Sequence, residues 1–296
     1  ISSTSFCIDA GLNTAPGISG TSTDKDSNTR IVRIVDMGAY EFQGTPTFTC
    51  VISGTVTDTG GSPVSGVLVK ITNITGKQAI TNDAGTFTII ELPLGTYSVQ
   101  ASGVGYYHAY RERIPVYNTT EIGISILSTA TTTVYVAAAN TSRIENGLPN
   151  YPYSTIQRGV DTAIAGGTVS VSAGTYIEAV FINKQITMEG VCTPTIDPML
   201  GDGVTFGSET DNALIFGFML TGAVNGIYCN QGSPTITNNT ISGNITGIYC
   251  LSSSPAITNN TVSGNSGYGI YCYSSSPTIT NNTITGNSSH GIHCDS

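Results

Sequence analysis

Three groups of side chains in this 296-residue chain have the types that chemistry needs. Asp197, Asp202, Glu209 and Asp211 crowd one stretch, where carboxylates hold a cation or act as acids. Nothing nearby in sequence supplies a base or a stabiliser of positive charge, so a solvated acidic loop is the alternative. His290, His293 and Cys294 have the spacing of a soft-metal set. Strand alternation, however, turns His293 outward and Cys294 inward, so the three diverge. Asp24, Asp26 and Asn28 copy the first ligands of a calcium loop. Thr29 stands where that loop needs its sharp-turn glycine, and Val35 where it needs a bidentate glutamate. A solvated turn with local Asp–Arg pairing competes with calcium there.

Acid–base cleavage of a polysaccharide needs paired carboxylates across the scissile bond, or acids holding calcium beside a basic proton acceptor. Beyond Asp211 the only Asp, Glu, Lys or Arg is Asp295. These residues therefore lack an acid–base pair, and the chain reads as a non-enzyme without a cofactor.

What this uncharged stretch does contain is a repeat. GIYC, GIYC, GIYC and GIHC begin at residues 226, 247, 269 and 291. Between them run SPTITNNTISGN, SPAITNNTVSGN and SPTITNNTITGN. A unit this short cannot bury a hydrophobic face alone, so neighbours must stack over one continuous core. Apolar residues alternate in short runs between Gly, Asn, Ser and Pro, which predicts strands and turns. Each repeat then forms one coil of a parallel β-helix, about 4.8 Å above the last.

Alternation assigns the faces. Ile236, Ile257 and Ile279 point inward, while Thr235, Thr278 and the column Thr237, Thr258, Thr280 point out. The chain turns at Asn238, Asn259 and Asn281, because Asn tolerates left-handed backbone. Asn239, Asn260 and Asn282 then face inward and bond from coil to coil, as Asn244, Asn265 and Asn287 do at the next turn. Tyr228, Tyr249, Tyr271 and His293 form an outward column, a candidate glycan platform. The competing reading is an exterior aromatic ladder that only shields its strand. The Thr grid has the flatness of an ice-binding surface, but Ala256 interrupts it.

The seven cysteines are too few and too odd in number for a disulfide scaffold. Cys229, Cys250, Cys272 and Cys294 fall at the repeat period and face inward. Parallel Cβ vectors suit a disulfide poorly, so reduced, core-filling thiols are expected. A soft-metal column is the alternative.

Charged residues make up only 10% of the chain and the net charge is −9. That balance argues against nucleic acid or an anionic membrane as partner. No apolar run approaches the roughly 18–20 residues of a spanning helix. The chain opens on Ile1 and ends inside a repeat at Ser296, so it reads as part of a longer protein. Absent targeting signals then carry no information.

Three segments organise the whole. In residues 1–45, CIDAG (7–11), DKDSNTRI (24–31) and VDMGAYEFQ (35–43) resemble the closing coils of bacterial right-handed β-helix repeat proteins. Residues 48–128 alternate at period two in VSGVLVKI (64–71), AGTFTII (84–90), GTYSVQA (95–101) and EIGISIL (121–127). Turn signals at TGGSP (59–63) and NDAG (82–85) separate short strands, which predicts an antiparallel sandwich of about seven strands. This segment resembles the carboxypeptidase regulatory-like domain, which implies a transthyretin-like spacer or adhesion module without catalytic residues. His108 among Tyr106, Tyr107 and Tyr110 reads as an aromatic strand end packed on that sandwich, with a ligand patch as the alternative.

From residue 131 to 296, TTTVYVAAAN, PYSTIQRGVDTAIAGG and TVSVSAGTYIEAVFINKQITMEG resemble the opening of pectate-lyase-like β-helix proteins. Ser154 caps a short helix there, with Ile156, Val160, Ala163 and Ile164 on one face, plugging the end of the stack. The NNT-I-GN coil pattern also resembles a periplasmic copper-binding β-helix family, in its coil grammar rather than in a ligand set.

The expected fold is all-β: a right-handed parallel β-helix of pectin-lyase type plus a small antiparallel β-sandwich. The expected function is a non-catalytic stalk or adhesin, secreted or on the cell surface, with extracellular polysaccharide or surface glycan as partner. Two alternatives stand: a polysaccharide lyase or glycoside hydrolase with active coils outside these residues, and an ice- or surface-binding β-helix.

Overall fold

A computed structural model describes residues 50–296. The calcium candidates Asp24, Asp26 and Asn28, and the whole 1–45 segment, lie outside the described residues.

Seven strands between Cys50 and Ile126 form two facing sheets. Strand Cys50–Asp58 is central in a three-stranded sheet between Thr86–Leu92 and Thr119–Ile126. The period-two residues meet between the sheets: Val67, Val69, Val99 and Ala101 face Ile52, Ile122 and Ile124, and all are buried. One pairing departs from the all-antiparallel expectation. Cys50–Asp58 runs parallel to Thr119–Ile126 over eight registered positions, Val51 opposite Thr119 through Asp58 opposite Ile126. The two are not joined by a hairpin; the rest of the sandwich lies between them, and that long crossover frees their relative direction.

The second sheet contains Gln78–Ile80, Leu68–Ile71, Gly95–Ser102 and Ala109–Val116. It then takes a further edge strand, Ile144–Glu145, through the pairs Tyr110–Glu145 and Arg111–Ile144. Tyr107, expected to pack on the sandwich, is buried instead in the β-helix core, and its hydroxyl donates to the Thr131 carbonyl at 2.6 Å.

Three parallel sheets wind the rest of the chain into a β-helix. The first has seven strands, from Thr133–Val136 to Thr278–Thr280, and the second and third have six each. Register holds from coil to coil: Ile215, Ile236, Ile257 and Ile279 align, as do Leu220, Ile241, Val262 and Ile284. The turn asparagines Asn238, Asn259 and Asn281 have φ of +54°, +55° and +57°, the left-handed backbone expected of them.

The inward asparagines satisfy themselves by bonding upward and downward. Asn260 Oδ1 accepts from the Asn239 backbone N–H at 3.0 Å and from Asn239 Nδ2 at 3.2 Å. Its own Nδ2 donates to the Ile236 carbonyl at 2.9 Å and to Asn282 Oδ1 at 3.0 Å. Asn244, Asn265 and Asn287 repeat the arrangement. Close coil stacking explains the glycine of the first three GIxC units: a Cβ on Gly226, Gly247 or Gly269 would lie 2.8, 2.5 or 2.5 Å from the carbonyl oxygen of the next coil's glycine, and 3.0, 3.0 or 2.8 Å from a ladder Nδ2.

A helix, Ile156–Thr162, packs on the first coils and buries Ile156 and Val160. Its N-cap is Thr155, not Ser154: Thr155 Oγ1 accepts from the Arg158 N–H at 3.2 Å. Glu178, twenty-odd residues on, supplies the rest of the cap by accepting from the Ile156 and Gln157 N–H groups at 2.7 and 3.0 Å. Gly159 lets the helix sit close, since a Cβ there would meet Val136 Cγ2 at 2.6 Å.

Candidate functional site

The third sheet sets the most distinctive surface of the described residues. Its strands Asn225–Asn230, Thr246–Leu251, Ile270–Tyr273 and Ile292–Asp295 align Tyr228, Tyr249, Tyr271 and His293 in one column. Parallel in-register strands leave these side chains no choice but to stack. Tyr228 and Tyr249 have ring centroids 5.2 Å apart at 18°, and Tyr249 and Tyr271 are 5.0 Å apart at 21°. His293 continues the stack 5.5 Å from Tyr271. Each pair contributes about 0.5–1.5 kcal/mol beyond its burial. The ring faces are therefore spent on one another, and the column turns ring edges and hydroxyl groups to solvent.

Two further rings join it. Tyr268 stacks 5.0 Å from both Tyr271 and His293, and His290 lies 5.1 Å from His293. Both occupy the position before the repeated glycine, where earlier coils carry Asn225 and Thr246. That change of residue type was visible in the sequence and marks where one column of rings widens to two. Asp295 closes the end: Tyr271 donates its hydroxyl to Asp295 Oδ2 at 2.9 Å, and His293 Nε2 lies 3.2 Å from Oδ1. The carboxylate beside it pushes the Tyr271 phenol up to about 12.

The other sequence candidates stay apart. Asp202 Oδ1 accepts from Asn225 Nδ2 at 2.7 Å, Asp211 Oδ1 from the Ser233 N–H, and Asp197 Oδ1 from the Met199 N–H. Among the described residues, no three of His, Cys, Asp and Glu gather into a metal-binding group. His290 and His293 meet ring against ring rather than converging with Cys294. In the Thr column, Thr258 donates to Thr237 Oγ1 at 3.1 Å, so those hydroxyls are tied to each other.

Cys229, Cys250 and Cys272 stand in register, free and buried, with Cys294 exposed above them. Hydrogen bonding to Cys229, with burial, pushes the Cys250 thiol far up, and Cys250 and burial do the same to Cys272.

Residues 51–145 match the family described as "Carboxypeptidase regulatory-like domain", and residues 160–296 match "Periplasmic copper-binding protein (NosD)". The chain joins a carboxypeptidase regulatory-like domain to a parallel β-helix. The first match runs on to residue 145, and so takes in the edge strand Ile144–Glu145 that completes the regulatory-like domain's second sheet. A cell surface glycoprotein of Methanothermus fervidus is 30% identical over 106 residues, or 35% of this chain. The chain spans 18% of the length of that curated relative. A type II cohesin–X-dockerin complex of Acetivibrio cellulolyticus is similar at a TM-score of 0.24 and 23% identity, covering 27% of this chain and 58% of that one. The Bacillus anthracis TIE protein is similar at a TM-score of 0.24 and 17% identity, covering 34% and 20%. Likenesses this slight to solved structures carry no argument.

The NosD description names copper, and the soft donors of this β-helix are its thiols. The column thiols Cys229, Cys250 and Cys272 are enclosed in the core, and among the described residues no three of His, Cys, Asp and Glu gather to hold an ion, so the described residues do not fit a copper ion.

Proposed function

We propose that this chain is a non-catalytic module of a secreted or cell-surface protein, built as a stalk or adhesin that contacts extracellular polysaccharide. The observation that carries this reading is the continuous strip of Tyr228, Tyr249, Tyr271, Tyr268 and His293, closed by Asp295 as the one Asp, Glu, Lys or Arg beyond Asp211. Stacked rings pre-order their own hydroxyl edges, so a sugar chain lying along the strip meets donors and acceptors already fixed in place. Similarity to a cell surface glycoprotein and to a periplasmic family supports the location. The absence of Asp, Glu, Lys and Arg from residues 212–294 supports binding over cleavage.

A glycan array probed with the whole chain tests the reading. Binding should fall at least tenfold in Tyr249→Ala and Tyr271→Ala. No binding, or binding indifferent to both substitutions, removes the polysaccharide role.

A further inference from the structure

Eight asparagines of the described residues head Asn-x-Ser/Thr triplets, the acceptor pattern for asparagine-linked glycans. The structure divides them by what each carboxamide is already doing. Asn73 Nδ2 donates to the Thr96 carbonyl at 3.1 Å and Asn140 Nδ2 to the Pro152 carbonyl at 2.6 Å. Asn244 and Asn287 are rungs of the inward ladder, donating to the Leu220 and Val262 carbonyls at 3.1 and 3.2 Å. A sugar on any of these four would break the bond or have to sit inside the core.

Asn118, Asn238, Asn259 and Asn281 are the reverse case. All four are exposed, and among the described residues none makes a side-chain hydrogen bond. Asn118 sits in the turn after strand Ala109–Val116, beside the exposed Tyr117. The other three are the left-handed corners of successive coils, with φ of +54°, +55° and +57°. Within each NNT triplet the first asparagine points out, the second is the ladder rung, and the third position is Thr240, Thr261 or Thr283 at the start of the next strand. Thr261 and Thr283 are exposed and Thr240 is half-buried. The same repeat that builds the core thus presents a column of complete acceptor triplets on the outside.

We infer that the corner column Asn238, Asn259 and Asn281, together with Asn118, is a site of asparagine-linked glycosylation. The donor is a lipid-phosphate-linked sugar, and the catalyst is a transferase of the compartment outside the membrane. The Asn Nδ2 attacks the sugar C1, the bond from C1 to the phosphate oxygen breaks, and the lipid phosphate leaves with that electron pair. One amide proton passes to a base of the transferase. Corners one coil apart are separated by about 4.8 Å, so neighbouring glycans crowd. Asn238 and Asn281 accommodate sugars together, and Asn259 is modified at lower occupancy when they are. The column lies at the corner between the first and second sheets, away from the aromatic strip on the third.

This inference rests on the extracellular location proposed above, and the test separates the two. The chain is recovered from fractionated cells that produce it, cut with chymotrypsin at the tyrosines of each coil, and analysed by glycopeptide mass spectrometry. Sugar mass is expected on Asn118 and on the corner asparagines, with Asn73, Asn140, Asn244 and Asn287 unmodified. Thr261→Val should remove the modification of Asn259 alone, with the circular dichroism spectrum unchanged. An envelope-associated or secreted chain without sugar at the four exposed sites overturns this inference and leaves the surface role standing. Sugar on the four committed asparagines overturns it as well. A chain found only in the cytoplasm overturns both.

Discussion

Arg158 Nη2, on the helix that covers the first coils, lies 2.6 Å from Glu112 Oε1 on the sandwich. Its Nη1 lies 2.7 Å from Glu145 Oε2, and its guanidinium stands 4.4 Å over the Tyr110 ring. Tyr153, from the β-helix side, meets Tyr110 edge-on and donates to the His108 carbonyl at 2.6 Å. Both modules are thus held around one cation, and the edge strand Ile144–Glu145 binds them through backbone as well. The Thr131 carbonyl, accepting from the Tyr107 hydroxyl, adds a further bond at the joint.

Breaking that joint is costly because the Glu145 side chain is only 3% exposed. Arg158→Met leaves its carboxylate buried and without its cation, and stability should fall by about 3 kcal/mol. Adding Glu145→Gln to Arg158→Met should recover more than half of the loss. Denaturant midpoints of the single and double variants measure this coupling, and a loss under about 0.5 kcal/mol would place the pair among ordinary surface contacts.

The two asparagines of each NNT triplet should respond in opposite ways to substitution. Asn260→Ala strands the Asn239 N–H in the core and removes the side-chain donor to the Ile236 carbonyl, costing about 3 kcal/mol. Asn259→Gly keeps a left-handed corner at φ +55° without loss of a bond, and should stay within about 0.5 kcal/mol. Equal effects in thermal unfolding would mean that the ladder contributes nothing specific.

The repeat region was legible because each position recurs with one job. A left-handed Asn259 and an inward Asn260 follow from alternation and turn chemistry alone, and the structure has both. The remainder depended on contacts distant in sequence. Glu178 caps a helix more than twenty residues earlier, which no local pattern announces, and Ser154 and Thr155 are equivalent cap candidates until the fold selects Thr155. Tyr268 joins the ring column only because the third coil carries an aromatic where the second carries Thr246. Arg158 meets Glu112 and Tyr110 only once the sandwich is folded against its helix.

At the same joint, His108 gives the chain a pH dependence. Burial, then Lys70, lowers its pKa from the ordinary 6.5, with Asp161 opposing and Lys184 adding to the shift. Gln100 Nε2 lies 3.0 Å from Nδ1, the contact that a neutral ring accepts. A base depressed in the folded state contributes stability above its unfolded pKa and loses it as pH falls through the folded value. The melting temperature should therefore drop as pH falls below about 6.5. His108→Gln should flatten that limb of the profile; an identical profile in the variant would assign the effect to other groups.

Thiol accessibility supplies a test of the coil stack that needs no ligand. Cys192 is exposed, whereas Cys229, Cys250 and Cys272 are buried, with Cys250 and Cys272 held protonated by their neighbours in the column and by burial. Alkylation requires both access and thiolate. Iodoacetamide at neutral pH should label Cys192 within minutes, while the three column thiols react only as fast as the coils open. Cys294 is exposed, but burial against the coil below and its bond to Cys272 push its thiol up, so it should label more slowly than Cys192. Peptide mass spectrometry across a time course orders the sites. Column thiols that react alongside Cys192 would mean that successive coils are not packed over a common interior, and the register that aligns the tyrosines outside would be lost with it.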